Sequence, residues 1–369
     1  MRRTFMTATA VAAAAMLTLT ACGSGRDAED SDAGGSAAEG FEAGDLIGVA
    51  LPAKTSENWV LAGDLFTQGI EDAGFEADVQ YAAASGSVAD QQGQIQSMVT
   101  KGAKVIIIGA ADGGQLSTQV EAARDAGAVV IAYDRLILNT DALDYYVAYD
   151  NFKVGQLQGQ ALIDGMMARK PEGPYTIELF SGSSDDANSA VFFDGAMDVL
   201  QPMIDSGEIV VGSGQTEISQ TATDGWLAEN AQSRMDSLLT STYGGDTALD
   251  GVLSPNDTLA RAIITSIKGA GKEIPVVTGQ DSEVESVKSI MADEQYMTIN
   301  KDTRNLVAQA VQMVTDLSEG GTPETNDDES YDNGVKVVPA YLLDPVVVTK
   351  DNAAEAYADD PTLEPLTQQ

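Results

Sequence analysis

The sequence predicts an α/β fold of two doubly wound lobes, each built on a parallel sheet, and three observations carry that expectation. Short apolar runs alternate with amphipathic helical stretches along most of the 369 residues. One run, Val105-Ile106-Ile107-Ile108, is unbroken, as in a strand buried on both faces. The chain from about residue 45 onward is long enough for two domains of ordinary size, and its second half repeats the strand–helix scheme of the first.

In order, strands are expected at 46–51, 79–82, 105–108 and 129–132. Helices are expected at 58–73, 88–101 and 114–126; in the second of these Val88, Ile95, Met98 and Val99 share one face. The second half has expected strands at 175–180, 209–212, 251–254, 275–278 and 295–300, with helices between them. A helix over 302–317 carries Leu306, Ala310, Met313 and Leu317 at helical spacing and stops at Gly320-Gly321-Thr322-Pro323. An acidic loop, 324–332, precedes a last strand at 335–343. It reads as a solvated loop, with a cation site as the alternative.

The N-terminal segment points to export. Arg2 and Arg3 open it, residues 8–21 are apolar or small, and the stretch is too short for a membrane-spanning helix. It ends at Leu19-Thr20-Ala21-Cys22, a lipobox-like sequence, and Cys22 is the one cysteine in the chain. Residues 1–21 are therefore expected to be a signal peptide and Cys22 a lipid-bearing first residue anchored on the outer face of the cell membrane. Arg2-Arg3-Thr4-Phe5 matches part of a twin-arginine signal without the rest of it, so the general secretion route is expected. Residues 22–44 are rich in Gly, Ser, Ala, Asp and Glu and read as a tether. Phe41 marks where packing begins.

Composition excludes several functions. The formal net charge is −37, and removing the signal peptide with its two arginines takes it to −39. Such a charge repels nucleic acid and anionic membrane surfaces. There is no histidine, so Ser-His-Asp catalysis, Cys-His catalysis and histidine metal sites are unavailable. No P-loop, dinucleotide fingerprint, calcium loop or preceding helix-turn-helix occurs. No enzyme activity, cofactor or metal is expected.

In open α/β sheets ligands sit beyond the carboxyl ends of strands. Here those ends carry Lys54, Asn58 and Trp59; Asp134 and Arg135; Asp185, Asp186 and Asn188; Asn256 and Asp257; Gln280 and Asp281; and Lys301. Planar groups that donate or accept twice suit the adjacent hydroxyls of a monosaccharide, and an aromatic plate suits its C–H face. Trp59 and Trp226, the two tryptophans, are candidate plates or core residues. Each strand-end Asp or Asn can instead cap the helix that follows it. A carboxylate-based glycosidase is the catalytic alternative, with Asp134, Asp186 and Asp281 converging; a retaining pair would stand about 5–5.5 Å apart.

At these residues the chain resembles the periplasmic sugar-binding proteins of the xylose-binding and multiple-sugar-binding type, over about residues 45–351. The matching words include Pro52-Ala53-Lys54-Thr55-Ser56 with Trp59, Ala132-Tyr133-Asp134-Arg135, Asp185-Asp186 with Asn188, Gly195-Ala196-Met197, Asp224-Gly225-Trp226, Leu253-Ser254-Pro255-Asn256-Asp257, Gly279-Gln280-Asp281 and Lys301-Asp302-Thr303-Arg304. The resemblance implies the type I periplasmic-binding-protein fold, with a three-segment hinge between the lobes. It places the N-terminal lobe at 45–150 plus about 301–333, and the C-terminal lobe at 151–300 plus about 334–369. It implies a monomer that closes over one sugar of the xylose, glucose, galactose or arabinose class and delivers it to an ABC permease. A sugar-sensing subunit for a chemoreceptor or sensor kinase is the alternative. The implied ligand-binding residues are Lys54, Trp59, Asp134, Arg135, Asp186, Asn188, Trp226, Asn256, Asp281 and Lys301, with Asn58, Asp257 and Gln280 beside them. The relatives carry arginine just before the Trp59 position; Asn58 removes that charged donor here, which bears on which sugar fits.

Overall fold

The computed structural model describes residues 40–368, except 55, 84–86 and 246. The expected signal peptide, Cys22 and nearly all of the expected tether lie outside the described residues. Among the described residues no helix is long and apolar enough to cross a membrane.

The first lobe is a six-stranded parallel sheet. Its strands are β1 (Leu46–Leu51), β2 (Glu76–Tyr81), β3 (Val105–Ile108), β4 (Val129–Tyr133), β5 (Tyr145–Tyr149) and β11 (Ala340–Leu343), in the order β11-β5-β4-β3-β1-β2. Alternate side chains of each central strand enter opposite cores. Ile106, Ile108 and Val130 pack on the side of helices α2 (Ser87–Lys101) and α3 (Ser117–Asp125). Val105, Ile107 and Ile131 pack against Phe66 and Ile70 of α1 (Glu57–Asp72) and Met313 of α10 (Thr303–Ser318). All nine side chains have no exposed surface. Burying each contributes about 1.5–3 kcal/mol.

The second lobe holds a four-stranded parallel sheet, β7-β6-β8-β9, made of β6 (Tyr175–Leu179), β7 (Ile209–Val211), β8 (Gly251–Leu253) and β9 (Val276–Val277). Its helices include α4 (Asn151–Arg169), α5 (Ala187–Ser206), the short α6 (Ile218–Thr221), α7 (Ala228–Ser241), α8 (Asp257–Gly269) and α9 (Val284–Met291). A β10–β12 pair, Met297–Asn300 with Val346–Thr349, is antiparallel. Helices α4 and α5 cross in near backbone contact. A Cβ on Gly155 would stand 2.0 Å from the Phe192 carbonyl oxygen, and one on Gly195 would stand 2.1 Å from that of Phe152. The two glycines thus let α5 lie directly on α4, which follows the first crossing.

The chain passes between the sheets three times: at Asp150 between β5 and α4, at Lys301–Asp302 between β10 and α10, and at Asp344–Pro345 between β11 and β12. One segment departs from the expected division. Residues from about 334 to 369 are expected in the second lobe, yet Ala340–Leu343 pairs in parallel with β5 of the first sheet. The strand is also shorter than the expected 335–343. Its apolar pattern suits either lobe; the decision comes from edge hydrogen bonding. Ala340 exchanges backbone hydrogen bonds with Asp327, and the Asn326 side chain both accepts from and donates to the backbone of Leu342. The acidic loop is thereby a cover for that edge. Asp327 accepts hydrogen bonds from Ser330 and the Glu329 amide, and the described residues contain no cluster of three or more acids, cysteines or histidines arranged to hold a metal. β5 itself was not expected from sequence.

Candidate ligand-binding cleft

The carboxyl ends of the two sheets face one cleft of about 330 Å³, within the range of small-molecule sites. Trp59, Asn58, Asp134 and Arg135 line it from the first lobe, and Asp186, Asn188, Trp226, Asn256, Gln280 and Asp281 from the second. Lys301, on the second crossing, completes the wall.

Four of its charged groups are held in two ion pairs. Arg135 Nε lies 3.1 Å from Asp186 Oδ2, and Lys301 Nζ 3.1 Å from Asp281 Oδ1. The Trp226 indole N–H donates to the same Asp186 oxygen at 3.2 Å. Asp186 Oδ1 meanwhile accepts the Asn188 amide and caps α5. Capping and site duty are therefore not alternatives for this residue: each oxygen has its own task. Asn256 is similar. Its Oδ1 accepts the Leu259 amide at 3.0 Å and caps α8, which leaves its NH2 to offer to the cleft.

Asp134 occupies a tight turn with φ 63°, closed by the Arg135 amide donating to the Tyr133 carbonyl at 2.7 Å. That positive-φ three-residue turn is strained and needs outside support. Support comes from Tyr146, whose hydroxyl donates to the Asp134 carbonyl at 2.6 Å, and from Asn188, whose NH2 donates to the same oxygen at 2.8 Å. The Asn188 bond crosses the cleft, as does the Arg135–Asp186 ion pair. Burial pushes the Asp134 carboxyl above the ordinary aspartate range, opposed by the charges of Lys301 and Arg135. Burial alone would lower the Lys301 ammonium, but Asp281, Asp134 and Asp186 outweigh it and the pKa is raised. Lys301 is therefore a firm cation.

Both indoles rest on glycine backbone. A Cβ on Gly109 would meet Trp59 at 3.0 Å, and a Cβ on Gly182 would meet the Trp226 ring at 2.2 Å. The Arg135 guanidinium lies 5.4 Å from the Trp59 ring centre, and Tyr133 meets that ring edge-on. Gln280 donates to the Pro255 carbonyl at 2.6 Å, while its Oε1 is a buried acceptor with no hydrogen-bond partner among the described residues.

The sequence from residue 47 to 322 matches the family of the periplasmic binding protein domain. The chain belongs to this family. As a periplasmic binding protein of the type I fold, it is 50% identical over 311 residues to the multiple sugar-binding periplasmic receptor ChvE of Rhizobium radiobacter, covering 83% of this chain and 87% of the relative. It is 35% identical to the D-xylose-binding periplasmic protein of Escherichia coli, over 85% and 89% of the two chains. Among solved structures, an ABC transporter solute binding protein from Clostridium phytofermentans with bound β-D-glucose aligns with a TM-score of 0.82. That protein is 40% identical, with 86% of this chain and 98% of that one covered. These relatives are substrate-binding receptors, not enzymes.

In this binding protein two of the expected residues stand outside the cleft. Lys54 is exposed and its Nζ sits 4.1 Å above the Tyr81 ring; a long side chain near a strand end is free to settle on the nearest aromatic face. Asp257 is fully buried below the site. Its carboxylate accepts from Gln295, Thr298 and the Glu283 amide, and burial raises its pKa well above the ordinary range. As the first residue of α8 it points back into the lobe, whereas the preceding Asn256 faces out. Phe192 also lines the cleft, its ring centre 5.4 Å from Lys301 Nζ, and sequence reasoning passed over it. The available signal was spacing: Phe192 lies four residues after Asn188 on α5, hence on the same face.

Proposed function

We propose that this protein captures a neutral monosaccharide of the glucose or xylose class in the cleft and delivers it to an ABC importer, held to the outer membrane face by lipid on Cys22. The observation that carries the reading is the convergence, from both lobes, of mutually paired carboxylates and cations between Trp59 and Trp226. Fixed charges that are already neutralised present their remaining hydrogen-bonding positions to sugar hydroxyls without reorganising. The indole and Phe192 faces suit the apolar side of a pyranose ring. The names of the relatives, which bind glucose, xylose or several sugars, support the same class.

Mechanistically, the sugar favours lobe closure because its contacts come from both lobes. Its leverage equals its differential affinity for the closed form. Asp134, Asp186 and Asp281 hold hydroxyls in this reading and carry out no hydrolysis.

The test is a thermal-shift panel of free monosaccharides. A sugar at about 100 times its Kd should stabilise the native state by about 2.7 kcal/mol. No shift with any aldose would sink the sugar reading. Arg135→Ala and Asp281→Ala should remove the shift while leaving a cooperative unfolding transition. Lipid labelling of the expressed protein, abolished by Cys22→Ser, tests the anchor. The 50% relative is named a receptor, which favours a second role as a sensing subunit; sugar-dependent co-purification with a membrane receptor instead of a permease would select it.

A further inference from the structure

We propose that the segment after β12 positions the ligand carboxylate of Asp281, with Tyr357 as the positioning residue acting through Ser282. The inference rests on the sugar-capture reading for the role of Asp281, and the segment lies beyond the span matched to the family.

The turn that presents Asp281 is unusual. Asp281 and Ser282 are consecutive non-glycine residues with φ 97° and 53°, a conformation that persists only where the surroundings over-determine it. The inner side is held by the sheet. The Asp281 amide donates to the Ile299 carbonyl at 2.9 Å, the Ser282 amide to Thr298 Oγ1 at 3.2 Å, and Thr298 in turn to the buried Asp257 at 2.9 Å.

The outer side is held by Tyr357. Its ring is 1% exposed and sits in a cluster with Val287, Val348 and Leu363. Its hydroxyl donates to Ser282 Oγ at 2.7 Å. The same tail reaches the partner of Asp281. Arg304 donates to the Asp359 carbonyl at 2.9 Å, pairs with Asp360 at 3.1 Å and also pairs with Asp302, the residue after Lys301. One short segment therefore braces both halves of the Asp281–Lys301 ion pair from behind, without touching the cleft.

Tyr357→Phe keeps the ring and removes only the hydroxyl. In ligand-free protein it should speed amide hydrogen exchange across 281–283 by about threefold or more, and it should weaken sugar affinity about three- to tenfold, the effect of one buried hydrogen bond. Ser282→Ala should do the same, and the double variant should be no worse than either single one. Tyr243→Phe is the control: it removes an equally buried hydroxyl, bonded to Glu178 at 2.7 Å elsewhere in the lobe, and should leave exchange at 281–283 and affinity as in wild type. Unchanged exchange in Tyr357→Phe overturns the proposal, as does faster exchange with wild-type affinity, or an equal affinity loss in the control. If the wild type binds no sugar in the panel, the capture reading fails, and the exchange comparison still decides the Tyr357 contact.

Discussion

Replacing Gly182 by alanine probes the Trp226 plate without touching any group that would bond the sugar. A Cβ at that position would lie 2.2 and 2.3 Å from two ring carbons of Trp226 and 2.4 Å from Ser189 Oγ. Ordinary carbon contacts begin near 3.5 Å, so the indole must retreat by roughly 1 Å. Retreat also strains the 3.2 Å indole N–H bond to Asp186, the acid that anchors Arg135. Overpacking of this kind costs about 1–3 kcal/mol, which as lost affinity is a factor of about 5–150. Intrinsic fluorescence titration is the assay, because the two tryptophans of the chain both line the cleft. Gly93→Ala, on α2 with nothing within 4 Å, serves as the comparison and should raise stability by up to about 1 kcal/mol. Wild-type sugar affinity in Gly182→Ala would refute the argument that the glycine backbone seats the ring.

The remaining predictions are simpler. Lys54→Ala should change sugar affinity by less than about twofold, because its ammonium is spent on Tyr81 at the exposed end of the loop; a loss beyond tenfold in calorimetric titration would return Lys54 to the site. Phe192→Leu, which stays apolar and removes the ring face beside Lys301, should weaken binding about three- to tenfold. The Asp257 carboxyl is raised in the folded state, so the native protein holds that proton more tightly than the unfolded chain does. Its contribution to stability is greatest below the unfolded value near 3.9 and is lost as pH rises through the folded pKa. Denaturant unfolding of wild type and Asp257→Asn across pH 4–8 should therefore differ in slope, with the variant gaining less on acidification; parallel curves would contradict the assignment.

Much of the fold was legible because strand–helix alternation leaves a periodic trace. The buried run Val105–Ile108 and the helical spacing of Leu306, Ala310, Met313 and Leu317 reappear as β3 and α10. β5 escaped because Tyr145–Tyr149, with its polar tyrosine hydroxyls, lacks the clean apolar signature. Two of the three hydroxyls are bonded in the structure: Tyr146 to Asp134, and Tyr149 to Asp302 across the hinge. At the cleft, the rule that ligands gather beyond strand ends located Asp134, Asp186, Asn256 and Asp281. It could not separate Asn256 from Asp257, adjacent residues of which one faces the cleft and the other the core.

By itself, then, the sequence determined the α/β class, the exclusion of histidine chemistry and the strand ends where polar groups collect. These depend on composition and on spacing along one segment. The tertiary structure decided which lobe claims 340–343, that Lys54 leaves the cleft while Phe192 joins it, and that a tail some seventy-five residues downstream stands behind Asp281. Each of those outcomes depends on contacts between segments far apart in the chain, where edge hydrogen bonds, ring packing and charge pairing choose among arrangements that local pattern leaves equal.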